Sequence, residues 1–98
     1  MERDQIVSLV QEHAAELRAR GVIGLGLFGS LARGDAGVDS DIDIVIDVAP
    51  QQKFSLIDLA GLRVFLCELF RHETDVVIRD DLRPDFRETV DRETVRLL

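Results

Sequence analysis

The residues with the clearest chemical potential are Gly29 and Ser30, followed after ten intervening positions by Asp41-x-Asp43. The run from Asp41 to Val48 is dense in β-branched residues and predicts a strand. Alternate strand side chains share a face, so Ile42, Ile44 and Ile46 point one way and Asp41 and Asp43 the other. Two such carboxylates repel each other and lower strand propensity, so a purely structural sequence seldom carries them. Their Cα atoms lie roughly 6.5–7 Å apart, near enough for both side chains to converge on divalent cations. Hard oxygen ligands suit Mg²⁺, which takes one or two carboxylates and fills its remaining sites with water and substrate phosphate. Taken alone, Asp-x-Asp reads equally well as a solvated acidic strand end. Asp47 near the strand exit, and Asp35 and Asp39 in the preceding loop, are read as solvated.

Gly29-Ser30 shifts that balance. A strand ending at Phe28, followed by glycine and a small hydroxyl residue, lets an anion approach closely. Ser30 then opens a short helical turn through Leu31, Ala32 and Arg33. Amide N–H groups of such a turn and the Ser30 hydroxyl make a phosphate cradle, with Arg33 a further candidate. By itself Gly29-Ser30 is an ordinary turn. Beside an Asp-x-Asp on the neighbouring strand, it faces a metal-binding pair, the arrangement that metal-assisted phosphoryl or nucleotidyl transfer requires. Gly24 to Gly29 also satisfies G-x-G-x-x-G, but only Val22-Ile23 precede it as strand, and Gly34 to Gly37 interrupts any crossover helix. Gly24 and Gly26 are better read as strand positions under a tightly packed neighbour. No P-loop pattern is present.

The elements that must position these groups follow from periodicity. Ile6, Leu9, Val10, His13, Ala14 and Leu17 recur at helical spacing, and Gly21 stops that helix. Val22 to Phe28 reads as a buried strand, and Gly34 to Gly37 as loop. Ser55 and Asp58 form a capping box, with Phe54 and Leu59 as a hydrophobic staple. The helix they open runs to about Phe70, with Leu59, Leu62, Phe65, Leu66 and Leu69 facing a sheet. Thr74 to Arg79 is a third strand, and Pro84 starts a last helix through about Val90. Val95 to Leu98 is either a short terminal strand or a frayed end. The order α-β-β-α-β-α is an α/β (α+β) mixed sheet with flanking helices.

Ninety-eight residues, 46% of them hydrophobic and 32% charged, fit one soluble domain spanning 1–98. Twelve basic against nineteen acidic residues give a net charge of −7, which argues against direct binding of nucleic-acid phosphate. A single cysteine, Cys67, rules out an internal disulfide framework and fits a reducing compartment. No segment is long and apolar enough to span a bilayer, and Met1-Glu2-Arg3-Asp4 does not begin a signal peptide. The cytoplasm is the expected location, with no membrane partner.

Gly29-Ser30 with Asp41-x-Asp43 resembles the signature of the polymerase-beta-like nucleotidyltransferase superfamily. The flanking text, Phe28-Gly-Ser-Leu-Ala-Arg-Gly and Ser40-Asp-Ile-Asp, more closely resembles its minimal nucleotidyltransferase (MNT) branch. The likeness extends over nearly the whole chain, including Thr74-Asp75-Val76-Val77-Ile78. It implies a mixed sheet whose Gly29-Ser30 turn, with Arg33, holds the triphosphate of ATP. It also implies that Asp41, Asp43 and Asp75 bind two Mg²⁺ ions. A lone Asp at a strand start is usually a turn residue; the resemblance instead makes Asp75 the third carboxylate, which helps deprotonate the attacking hydroxyl. The implied reaction moves AMP from ATP to a hydroxyl and releases pyrophosphate. The implied partner is a HEPN-type RNase toxin, adenylylated on a tyrosine, with this chain as the antitoxin in a hetero-oligomer.

Two alternatives stand beside that reading. One is a non-catalytic module that masks its partner. The other is a small-molecule nucleotidyltransferase, although such enzymes generally need an additional domain to shape the acceptor pocket. Among the remaining residues, His13 reads as a packed core-edge histidine and Cys67 as a buried small hydrophobe. His72 falls in a turn without a second ligand at zinc spacing. Arg79, Arg83 and Arg87 read as surface residues.

Overall fold

Runs of aliphatic and β-branched residues form the middle of a four-stranded sheet, and helices cover its faces. The computed structural model describes residues 2–35, 37, 40–51 and 53–98. In chain order these form α1 (Arg3–Glu12), α2 (Ala14–Ala19), β1 (Val22–Phe28), α3 (Gly29–Arg33), β2 (Ile42–Val48) and α4 (Leu56–Phe70). Then come β3 (Thr74–Ile78), a 3₁₀ turn (Arg79–Asp81), α5 (Pro84–Glu93) and β4 (Val95–Arg96). The strand order is β3-β2-β1-β4, with β2 and β3 parallel and the other pairs antiparallel. The expected mixed sheet with flanking helices is therefore what forms. The expected loop at Ala36 and the solvated reading of Asp39 lie outside the described residues. Among the described residues, no helix is long and apolar enough to cross a membrane.

The pleat sorts the two faces of the sheet as the alternation predicts. Ile42, Ile44 and Ile46 are buried in the main core with Ile6, Val10, Leu17, Leu62, Leu66 and Phe70 from α1, α2 and α4. On the other face Val45 joins Phe28 and Val90 of α5 in a smaller cluster edged by Val77 and Leu82. That smaller cluster covers only part of its face and leaves the carboxylate-bearing end of the strands open.

Several boundaries differ from the periodicity. The first helix is two, because His13 leaves helical geometry at φ −109° and ψ 18°. Its Nδ1–H donates to Leu9 O at 2.9 Å and its ring meets Phe65 edge-on at 6.1 Å, so the core-edge reading of His13 holds while the helix breaks there. β2 starts at Ile42, leaving Asp41 one residue ahead of the ladder, and β3 ends at Ile78, leaving Arg79 in the 3₁₀ turn. α5 continues to Glu93, and the chain end is a strand, where Val95 and Arg96 pair with Leu27 and Gly26. Cys67 is half-buried rather than buried, with its Sγ 3.7 Å from Thr74 O.

The start of α4 shows how local chemistry sets an element. Asp58 N–H donates to Ser55 Oγ at 3.1 Å, and Ser55 N–H donates back to Asp58 Oδ2 at 2.8 Å. Phe54 and Leu59 are both half-buried against the main core, as a staple requires. Ser55→Ala leaves that helical N–H without its partner and is expected to cost about 1 kcal/mol. For a domain of this size that is a fall of about 4–8 °C in melting temperature, measurable by circular dichroism.

Candidate active site

Strand register brings the acidic residues together. Asp43 is opposite Phe28 in the antiparallel β1–β2 pair and opposite Asp75 in the parallel β2–β3 pair. Neighbouring strands lie about 4.8 Å apart, and in-register parallel residues project to the same face, so Asp43 and Asp75 stand side by side. Asp41, one residue ahead of the ladder, lies near enough for its charge to act on Asp43. Asp41 and Asp75 are exposed and Asp43 is half-buried.

The Gly29-Ser30 turn abuts the same spot. Gly29 has φ +77°, a conformation that L side chains avoid, and a Cβ built on it would collide with Asp43 Oδ2. The glycine thus does two jobs: it allows the sharp exit from β1 and lets the Asp43 carboxylate rest against the start of α3. That short helix ends at Gly34, which is left-handed at φ +82°.

The electrostatics report the same proximity. Burial, then the charges of Asp75 and Asp41, raise the Asp43 pKa above its ordinary value, while the Arg33 guanidinium opposes them. Among the described residues, no hydrogen bond or ion pair engages the side chains of Asp41, Asp43 or Asp75. No group of three His, Cys, Asp or Glu side chains among these residues already forms a metal cage. Three unpartnered oxygen donors on one face nevertheless fit Mg²⁺, which relies on few carboxylates and completes its shell with water and phosphate. Bare carboxylates repel one another, so a closed cage is not expected before a cation neutralises them.

Arg33 is engaged elsewhere than its phosphate-cradle reading suggests. It makes ion pairs at 3.2 Å with Asp35 and with Glu93, the last residue of α5, and these contacts raise its pKa, led by the Asp35 hydrogen bond. Asp47, expected to be merely solvated, lies 3.0 Å from Arg79 Nε, and Arg79 Nη1 is 2.6 Å from Asp91 Oδ1. Arg79 is therefore a half-buried tie between β2 and α5, not a free surface residue. Arg87, also read as a surface residue, is half-buried and lies 3.5 Å from Asp80. The glycines of the G-x-G-x-x-G run have packing reasons, as expected: a Cβ on Gly24 would come within 2.9 Å of Asp47 Oδ2, and one on Gly26 would strike the Thr94 methyl. Sequence reasoning missed the Arg33–Glu93 and Arg79–Asp91 ties. No local pattern announces a pairing across 60 residues.

Comparison with known proteins is consistent with this geometry. Residues 10–97 match the family model of the nucleotidyltransferase domain. The chain is 38% identical over 93 residues to the protein adenylyltransferase MntA of Thermococcus cleftensis, covering 94% of this chain and 92% of that one. It superposes with a TM-score of 0.82 on a solved structure assigned to a minimal nucleotidyltransferase, at 29% identity over 97% of this chain and 95% of the other. It also shares its fold with a chain in the complex of a tri-AMPylated Shewanella oneidensis HEPN toxin and its MNT antitoxin. There the TM-score is 0.67 and the identity 20%, over 94% of this chain and 71% of the other.

Proposed function

We propose that this chain, which belongs to the nucleotidyltransferase domain family, transfers AMP from ATP to a tyrosine hydroxyl of a HEPN-type RNase toxin and so acts as the antitoxin. The observation that carries the reading is the register that sets Asp43 beside Asp75, with Asp41 next to them and the Gly29-Ser30 turn against Asp43. The names of its relatives support the acceptor class: one is a protein adenylyltransferase, and one shares its complex with an AMPylated HEPN toxin. The working unit is a single domain of residues 1–98, acting in the cytoplasm where ATP is supplied.

In this reading Asp41, Asp43 and Asp75 would hold two Mg²⁺ ions. Such ions supply electrostatic stabilisation of the attacking and leaving oxygens of an in-line displacement. The Ser30 hydroxyl and the amides of α3 donate to the β- and γ-phosphates, and Arg33 adds positive charge on leaving its ion pairs with Asp35 and Glu93. The acceptor oxygen bonds to the α-phosphorus, the bond to the pyrophosphate oxygen breaks, and the hydroxyl proton passes to Asp75. A tyrosine has an unperturbed pKa of about 10, so a carboxylate placed to accept its proton serves general-base catalysis.

The test incubates the chain with ATP labelled on the α-phosphate, Mg²⁺ and the product of the neighbouring gene as the candidate toxin. Label should appear on the toxin and vanish when Asp41→Ala and Asp43→Ala are combined. No transfer, with inhibition that survives the double substitution, would establish masking instead. Removing the metal with EDTA is expected to lower the transfer rate by at least about 100-fold, since ions in this role supply several kcal/mol. Added Mg²⁺ should restore it.

A further inference from the structure

We propose that His72 is a positioning residue for Asp41, holding that carboxylate in place from outside the sheet. The inference rests on the reading of Asp41 as a metal-binding carboxylate. Asp41 precedes the β2 ladder, so strand pairing alone does not fix it. Two long-range hydrogen bonds bracket it instead. On one side the Ser40 carbonyl accepts from His72 Nε2–H at 2.6 Å, and on the other Ile42 N–H donates to Glu73 O at 3.0 Å. A carbonyl can only accept, so Nε2 carries the proton. Both partners belong to the turn between α4 and β3, so the start of β2 is clamped to the entry of the strand that bears Asp75.

That turn is itself firmly held. Arg71 ends α4 in the left-handed region at φ 53°, which is uncommon for a residue with a long side chain. It swings His72 away from the helix axis and over Ser40. His72 N–H then donates to Cys67 O at 3.2 Å, and Thr74 Oγ–H donates to His72 O at 3.0 Å. His72 is half-buried, and its backbone is fixed on both sides before its ring reaches Ser40. Ser40 in turn accepts from Gly37 N–H at 2.9 Å through its hydroxyl. Partners bonded directly to metal ligands typically govern metal affinity by 10–100-fold, and a backbone clamp one residue away is expected at the low end of that range.

The experiment compares the wild-type chain with His72→Ala, His72→Phe (which keeps the ring but removes the donor) and His72→Gln, whose amide can still donate. In metal-free protein, amide hydrogen exchange at Ile42, whose N–H donates to Glu73 O, should quicken by about tenfold in the Ala and Phe variants, with Ile44 unchanged. In the transfer assay the Mg²⁺ concentration for half-maximal rate should rise by about tenfold, while kcat at saturating Mg²⁺ stays near wild type. His72→Gln should recover most of both effects. Wild-type exchange at Ile42 with an unchanged Mg²⁺ requirement in either donor-free variant overturns the proposal. So does a loss of kcat that Mg²⁺ does not relieve. Should the wild-type chain transfer no AMP at all, the functional reading fails, and the exchange difference alone decides the role of His72.

Discussion

Asp43→Asn is expected to abolish AMP transfer and to raise the melting temperature of the same protein. Removing this charge from the centre of the proposed metal site should lower the rate by about 10³-fold or more, the equivalent of roughly 4 kcal/mol of lost transition-state stabilisation. Stability moves the other way because the Asp43 pKa is raised in the folded chain by burial and by Asp75 and Asp41. The folded state then binds that proton more tightly than the unfolded state, whose carboxylate keeps its ordinary value of 3.8. The contribution to stability is greatest below that value and is lost as pH rises through the folded pKa. At neutral pH the wild-type chain bears the full repulsion and the Asn variant does not. Solvent screens a half-buried group, so the gain is well under the ~1 kcal/mol that moves such a domain by about 4–8 °C; a rise of about 1–3 °C is expected. Melting curves from pH 4 to 8 would show wild type losing ground to the variant as pH increases. A variant less stable than wild type at pH 7 would contradict the clustering of the three carboxylates.

Gly29→Ala should be the most damaging change outside the acidic residues, and Gly34→Ala is its control. Both glycines are left-handed, at φ +77° and +82°, so either substitution carries the conformational cost of roughly 1–2 kcal/mol. Only Gly29 has a neighbour in the way: its Cβ would meet the Asp43 carboxylate, whereas a Cβ on Gly34 has nothing within 4 Å. Relief of that collision must displace Asp43 or the start of α3, and a displacement near 1 Å at a reacting centre costs about 100-fold in rate. Both variants should therefore lose stability, Gly29→Ala the more because it must also relieve the collision. Gly29→Ala alone should lose activity, which a transfer assay beside a melting curve separates.

The strands and the α4 start could be read from the chain because their determinants are local. Val22 to Phe28 emerges with its predicted bounds, and Ser55 and Asp58 cap α4 through their own side chains. The pairing of Asp41 with Asp43 was likewise recognisable from their two-residue spacing, although β2 itself begins only at Ile42. What could not be read depends on distant partners. The Asp43–Asp75 register is set by the parallel pairing of two strands with a helix between them. The break at His13 carries no glycine or proline and shows only once Phe65 is beside it. Asp47 looked as solvated as Asp35 until Arg79 arrived from the end of β3. Gly29 suggested a turn from its type alone; that it also makes room for a carboxylate depends on the antiparallel register of β1 and β2.

The most direct test is a crystal structure of the chain with Mg²⁺ and an ATP analogue that cannot release pyrophosphate. The account predicts ions about 2.0–2.1 Å from carboxylate oxygens of Asp41, Asp43 and Asp75, with the triphosphate against Ser30 and the amides of α3. A nucleotide bound away from that turn, or ions held without Asp75, would contradict it.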